Sequence, residues 1–340
     1  MMTLLVTGGC GFIGSAFVRQ RVAKGDTVIV LDAMTYAGHV ENLNDVGGPG
    51  RHELVRGNIC DAALVADLCR RHDFDAIINF AAESHVDRSI SSPGEFIETN
   101  IRGVFVLLNA AMAHWRGRSH FRYLQVSTDE VYGSLGPTGH FVETTPMAPN
   151  SPYSASKASA DLLVRAWHHT YGLPTITTNC SNNYGPRQYP EKLIPTMISC
   201  ALASKPLPVY GDGGNVRDWI HVEDHCAGIA LALERGTPGE TYCFGGNAER
   251  NNLQVVRAIC AELDRLSPRN DGRPHAAAIT MVADRLGHDR RYAIDDSYAQ
   301  QQLGFTRSYA NFEEGLMQTV QWYLDNRPWC EAVTGKAVTA

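Results

Sequence analysis

Short apolar runs alternate with longer stretches of helical period through the first half of the chain. Residues 4–6, 27–31, 53–55, 76–80, 123–127 and 175–178 read as strands. Residues 12–23, 62–71, 95–115 and 153–171 carry apolar side chains at helical spacing and read as the helices between them. Strands of a few apolar residues separated by helices predict an α/β fold: a doubly wound parallel sheet covered on both faces. The texture changes after about Cys180. Pro186, Pro190, Pro195, Pro206 and Pro208 crowd one region, and Gly211, Gly213 and Gly214 follow it. Such punctuation predicts loops with short strands and helices, hence a smaller, partly interleaved lobe. The expected division is 1–180 for the sheet domain, 181–330 for a lobe that exchanges some strands or helices with it, and 331–340 for a tail. Open parallel sheets bind ligands at the carboxyl ends of their strands, where this lobe would close.

Composition narrows the classes. The 340 residues hold 30 Lys plus Arg against 36 Asp plus Glu, a net charge of −6, which argues against a nucleic-acid binder. A hydrophobic content of 44% with 19% charged residues is that of a globular protein. Residues 1–18 carry no charged side chain, but Gly8, Gly9, Gly11 and Gly14 interrupt them, and no other run reads as approaching spanning length. The nine cysteines are scattered without a Cys-x-x-Cys pair, so neither a zinc site nor a disulfide scaffold is expected. Reduced thiols in a cytoplasmic protein, with no membrane partner and no metal, are the expectation.

The chemistry begins at the first turn. Leu4-Leu5-Val6-Thr7 leads into Gly8-Gly9-Cys10-Gly11-Phe12-Ile13-Gly14, a strand, a glycine turn and a helix start with Gly-x-x-Gly-x-x-Gly spacing. Glycines there permit a tight turn, close approach of a pyrophosphate and close helix packing, while the helix amino terminus offers free N–H groups. Asp32 ends the second strand, where a carboxylate accepts bonds from both ribose hydroxyls and repels a 2′-phosphate. No arginine follows it, so NAD is expected rather than NADP. Downstream, Tyr153 and Lys157 stand at i and i+4 on one helix face. A phenol with a pKa of ~10 is a poor base. An ammonium one turn away and an oxidised nicotinamide beside it are expected to lower that value, so that Tyr153 can take a hydroxyl proton as carbon gives up hydride.

These motifs resemble the extended short-chain dehydrogenase/reductases, and within them the dTDP-glucose 4,6-dehydratase family. The resemblance runs from about Met2 to Trp329. It is carried by Ala81-Ala82-Glu83-Ser84-His85-Val86-Asp87, Ser127-Thr128-Asp129-Glu130-Val131-Tyr132-Gly133 and Tyr153-Ser154-Ala155-Ser156-Lys157. Asn179-Cys180-Ser181-Asn182-Asn183-Tyr184-Gly185-Pro186, Glu191-Lys192-Leu193-Ile194-Pro195 and Arg217-Asp218-Trp219 continue it.

It implies a NAD-dependent lyase that oxidises carbon 4 of a nucleotide-bound glucose, removes water across carbons 5 and 6, and returns the hydride to carbon 6. Two acids are then needed: a carboxylate to take the carbon 5 proton and a carboxylic acid to protonate the departing hydroxyl. By position these are Glu130 and Asp129, with Thr128 beside Tyr153 at the 4-hydroxyl. Residues 129 and 130 would point to opposite faces of an ideal strand, so the backbone must turn there. The expected cofactor contacts are Gly8, Gly11, Phe12, Ile13, Gly14, Asp32, Asn58, Ile59, Ala81, Ala82, Ser84, Thr99, Tyr153, Lys157 and Asn183. The expected substrate contacts are Ser84, Thr128, Asn182, Lys192, Leu193, Pro208, Tyr210, Arg217, Asn252, Asp284, Arg285 and His288.

Two positions depart from the family pattern. Asn58 stands where Asp is usual, and Leu286 replaces a proline near the nucleotide. dTDP-glucose is the expected substrate. UDP-glucose or another nucleotide hexose, a 4-epimerase reaction and a silent NAD-sensing protein are the alternatives; Asp129 with Glu130 disfavours the epimerase, and the intact set of Tyr153, Lys157, Asp129 and Glu130 disfavours the sensor. The helices at 95–115 and 153–171 resemble those that pair between subunits, which implies a homodimer.

Overall fold

Residues of the first half form β1 (Thr3–Thr7), β2 (Thr27–Asp32), β3 (Arg51–Arg56), β4 (Ala76–Asn79), β5 (Arg122–Thr128) and β6 (Thr175–Cys180) in a computed structural model. It describes residues 1–335 except Gly117 and Ser119, so part of the expected 331–340 tail lies outside the described residues. Every residue of β4 and β6 is buried, as expected of strands covered on both faces. The second half adds the short strands β7 (Asn182–Tyr184), β8 (Leu207–Tyr210), β9 (Val216–Arg217) and β10 (Trp219–His221). These are followed by β11 (Thr241–Phe244), β12 (Arg250–Asn251) and β13 (Ile279–Val282). The main sheet has seven parallel strands in the order β11-β6-β5-β4-β1-β2-β3. The order reverses at β1, which places a cleft at its carboxyl end.

Helices cover both faces. α1 (Phe12–Lys24) ends at Gly25, whose φ of 102° supplies a left-handed cap. α2 (Ala62–Arg71) starts at an Asp61 cap that accepts from Leu64 N–H. α3 (Val86–Ser91) and α4 (Pro93–Phe96) lead through a π-helical segment, Ile97–Gly103, into α5 (Val104–Trp115). α6 (Pro152–Tyr171) begins with a Ser151–Ser154 capping box and a proline in its first turn. One core lies under α2, α5 and α6, around Leu5, Ile77, Leu107 and Tyr123. The opposite core, around Val6, Phe17, Ile229 and Phe244, joins α1 to α8 (Val222–Arg235), after α7 (Leu193–Leu202) has begun the second lobe. α9 (Asn252–Leu266), α10 (Ser297–Leu303), α11 (Phe312–Asp325) and α12 (Arg327–Thr334) complete the chain, with α7, α9 and α11 around their own core.

Three expectations need correction. The helix at 95–115 is not uniform. Its π turn presents Asn100, whose amide pairs with both the N–H and C=O of Glu83 at 2.9 and 3.0 Å. Pro93–Trp115 is also long and apolar enough, by length and composition alone, to cross a membrane, so a second run does approach spanning length. Its inner face, through Val104, Leu107, Leu108 and Ala111, fills the core under the sheet. Lastly, the second half is more regular than its prolines and glycines suggest. α8, α9 and α11 have 14, 15 and 14 residues, and the breakers fall between them.

Candidate active site

Two adjoining cavities, of about 370 and 310 Å³, run along the carboxyl ends of the sheet and under the second lobe. The larger begins at α1. No side chain caps this helix at Gly11, so its first amides face the cavity that residues 11–14 line. A methyl group on Gly14 would collide with the Gly8 carbonyl oxygen, and Gly8 itself sits at φ +69° with the Ala81 backbone against it. This is a cradle shaped for phosphate. The Asp32 carboxylate accepts from the N–H groups of Cys10 and Met34 at 2.9 and 2.8 Å and lines the same cavity. The other expected cofactor residues line it too: Gly8, Asn58, Ile59, Ala81, Ala82, Ser84, Thr99, Tyr153, Lys157 and Asn183. A dinucleotide fits this arrangement, with pyrophosphate at the amides and ribose at Asp32. The Asn58 amide oxygen is held by the Cys60 N–H at 2.9 Å.

At the far end of that cavity the strand-end residues converge. β5 stops at Thr128, and its chain turns into a 3₁₀ segment, Asp129–Tyr132, with the Thr128 hydroxyl accepting from Glu130 N–H at 3.3 Å. This is the turn that the two acids require. Thr128, Glu130, Tyr153 and Lys157 line the cavity, and Glu130 lies on the wall shared with the smaller one. Asp129 lines neither. It is 1% exposed, one carboxylate oxygen accepts from the Thr128 hydroxyl at 3.3 Å, and the other has no hydrogen-bond partner. Burial first, and then the Glu130 charge, push the Asp129 carboxyl well above the usual range. Burial also raises Glu130, against the pull of Arg217, Lys192 and Arg285.

Tyr153 departs from its expected lowering. Burial and the Glu130 carboxylate push its phenol up in the chain alone. The Lys157 ammonium donates to the Val126 carbonyl at 2.7 Å. An oxidised nicotinamide beside the phenol would act in the opposite direction, as its positive charge favours phenolate.

The smaller cavity holds Asn182, Lys192, Leu193, Pro208, Tyr210, Arg217, Asn252, Arg285 and His288. Arg217 is nearly buried, its guanidinium 4.2 Å from the Tyr292 ring centre and bonded to the carbonyls of Val216 and Asp289. The Lys192 ammonium reaches the Ser84 carbonyl at 2.9 Å. Asp284 stands outside and holds His288 Nδ1 at 2.6 Å, so its place is behind the cavity wall rather than in it. Leu286, 78% exposed, lines neither cavity.

The fold also brings in polar groups that had no role in the sequence reading, Glu191 and Tyr292 among them. Glu191 lies on the wall between the cavities and Tyr292 on the smaller one. Glu191 sits within a stretch already singled out for Lys192. No local pattern marks Tyr292. Among the described residues no cluster of His, Cys, Asp and Glu is placed to hold a metal.

Comparison with known proteins agrees with this geometry. The family model described as GDP-mannose 4,6 dehydratase matches residues 5–319. The dTDP-glucose 4,6-dehydratase of Xanthomonas campestris pv. campestris (strain B100) is 57% identical over 338 residues, covering 98% of this chain and 96% of its own. The crystal structure of DesIV, a dTDP-glucose 4,6-dehydratase from Streptomyces venezuelae with NAD and TYD bound, superposes with a TM-score of 0.89 at 47% identity. That match covers 98% of this chain and 100% of DesIV. The UDP-glucose 4-epimerase of Thermotoga maritima shares the fold with a TM-score of 0.83 but only 28% identity, over 95% of this chain and 99% of its own.

Proposed function

The chain belongs to the dTDP-glucose 4,6-dehydratases, NAD-dependent hydro-lyases of the short-chain dehydrogenase/reductase fold, and on that premise we propose how its residues divide the reaction. It converts dTDP-glucose to dTDP-4-keto-6-deoxyglucose. The chemistry supplied by NAD is reversible storage of one hydride, taken from carbon 4 and returned at carbon 6. Tyr153 accepts the proton of the 4-hydroxyl, with Thr128 holding that oxygen and Lys157 stabilising the phenolate. The carbon 4 ketone acidifies the neighbouring carbon 5 proton, and the Glu130 carboxylate removes it. Asp129, kept protonated by burial, turns toward the cavity and protonates the 6-hydroxyl, which leaves as water. The Glu130 proton then returns to carbon 5 as carbon 6 receives its hydride. Tyr153 has gained one proton and Asp129 has lost one, so a net proton transfer from Tyr153 to Asp129 through water restores the enzyme and closes the balance.

Lys192, Arg217 and Arg285 suit the substrate's diphosphate, where a guanidinium binds in bidentate fashion and an ammonium adds a point charge. Pro208 and Tyr210 pack on its base. Asn182 and Asn252 supply amides to the sugar and nucleotide. A homodimer joined through α5, the π segment before it and α6 is supported by the exposure of Phe105, Ile97 and Leu162, one on each. Nine free cysteines support a cytoplasmic setting.

One observation carries the dehydratase reading. A cavity-lining carboxyl group, Glu130, follows directly on a buried one, Asp129, which burial and the Glu130 charge push well above the usual carboxylate range, at the strand end beside Tyr153. Hydride transfer alone needs neither acid. Purified protein given dTDP-glucose is expected to yield a product that absorbs in alkali as a 4-keto-6-deoxy sugar, with no net consumption of NAD. Unchanged substrate with NAD firmly bound would contradict this.

A further inference from the structure

Tyr153 and Lys157 occupy two steps of a stripe on α6 that continues, one turn on, to Asp161. No step of the reaction uses Asp161, yet it is 3% exposed and directly behind the site. One of its carboxylate oxygens accepts from the Ser127 hydroxyl at 2.6 Å and from the Asn179 amide at 3.3 Å. Ser127 and Asn179 are facing partners at the carboxyl ends of β5 and β6. The same Asn179 amide also donates to the Thr128 carbonyl at 3.0 Å. Lys157 meanwhile holds the Val126 carbonyl one residue earlier. Three consecutive residues, Val126, Ser127 and Thr128, are thus tied to two charged groups one helical turn apart.

We propose that Asp161 is a positioning residue: it fastens the ends of β5 and β6 to α6 and serves as the counter-charge of Lys157, so that Thr128 and Tyr153 meet the 4-hydroxyl in register. It lines neither cavity, so it acts through its neighbours rather than on substrate. Burial pushes the carboxyl up to about 6, and the Lys157 ammonium, Ser127 and Asn179 oppose that rise. In return Asp161 is the largest influence holding the Lys157 ammonium up against its own burial. The other titratable groups around the pair are Tyr123 on β5, Tyr132 and Asp129 on the 3₁₀ turn, Tyr153 on α6 and Cys180 on β6. Burial raises all five, which favours their uncharged forms. Asp161 stands one helical turn from Lys157 on the same face of α6 without a direct ion pair to it, and its second carboxylate oxygen has no hydrogen-bond partner, so it acts on the ammonium as a nearby buried charge rather than through a contact.

The inference rests on Tyr153 and Lys157 acting as proposed above. Tyr153→Phe tests that separately, since it abolishes the reduced nicotinamide signal if they do. The discriminating variant is Asp161→Asn, which keeps the shape and removes the charge. With dTDP-glucose, kcat is expected to fall about 10- to 100-fold while KM stays within about twofold. Without its counter-charge Lys157 gives up its proton more readily, so the alkaline limb of the kcat profile moves to lower pH. A wild-type kcat, or a reduced kcat with that limb unmoved, would overturn the proposal, the second outcome marking loss of packing alone. Should Asp161→Asn fail to fold, Ser127→Ala decides. It keeps the charge and frees the strand, and is expected to lower kcat about tenfold without moving the limb. A normal kcat in Ser127→Ala would overturn the proposal as well.

Discussion

Asp129 sets the needs of the proposed reaction against those of the fold. Its unpartnered, buried carboxylate oxygen is costly to ionise, and in the proposed mechanism that cost favours the protonated acid that a leaving hydroxyl needs. Its folded pKa lies above the ~3.9 of an unfolded aspartate, so the folded state binds the proton more tightly. The resulting stability is complete below the unfolded value and is lost as pH rises through the folded one. Asp129→Asn cannot ionise. It is expected to stop water loss and, at neutral pH, to raise the melting midpoint by about 2 °C, the effect of ~1 kcal/mol in a domain of this size. Differential scanning calorimetry with a turnover assay checks both, and a lowered midpoint would contradict the account. At this scale the sequence was informative where chemistry is local. Asp129 and Glu130 are adjacent, and Tyr153 and Lys157 share a helix face. It was silent where the fold alone makes the neighbourhood, as at Tyr292, which reaches Arg217 from 75 positions away in the chain.

Elements place these residues through their ends. The glycine turn before α1 works because Gly14 leaves no side chain between the Gly8 carbonyl and the helix start. Gly14→Ala is expected to cost about 1–3 kcal/mol in forced backbone movement. It should also weaken NAD binding at least tenfold in a fluorescence titration; unchanged affinity would remove the turn from its role. Strands and the early helices were legible because period and length are properties of the local sequence. The π turn at Ile97–Gly103 was not, because it depends on Asn100 pairing with the distant backbone of Glu83. α8, α9 and α11 were hidden for a different reason. Prolines and glycines between them drew the eye, although α9 opens on an Asn251–Gln254 capping box and carries a clean apolar face.

Across the whole molecule, the second lobe closes over the sheet edge and is tied to it there. Asp87, on α3, grips the Arg285 guanidinium of the second lobe through two bonds of 2.5 and 2.9 Å beside the smaller cavity. Both partners are partly exposed, so the pair contributes on the order of 1 kcal/mol at most and weakens with salt. Asp87→Asn is expected to raise KM for dTDP-glucose about three- to fivefold, with kcat within about twofold; a fall in kcat at constant KM would speak against a role in seating the substrate. The alternation of strands and helices announced the sheet, and an exchange of elements with the second half was expected, but not that β11 and α8 are the ones that return to finish it.

In the proposed reaction a borrowed hydride makes an inert carbon–hydrogen bond breakable for Glu130. The direct measurement is Glu130→Gln mixed with dTDP-glucose in a stopped-flow absorbance experiment. The amide cannot take the carbon 5 proton, so enzyme-bound reduced nicotinamide should build up and persist while no 4-keto-6-deoxy sugar is released. Turnover at the wild-type rate, with no reduced cofactor accumulating, would contradict it.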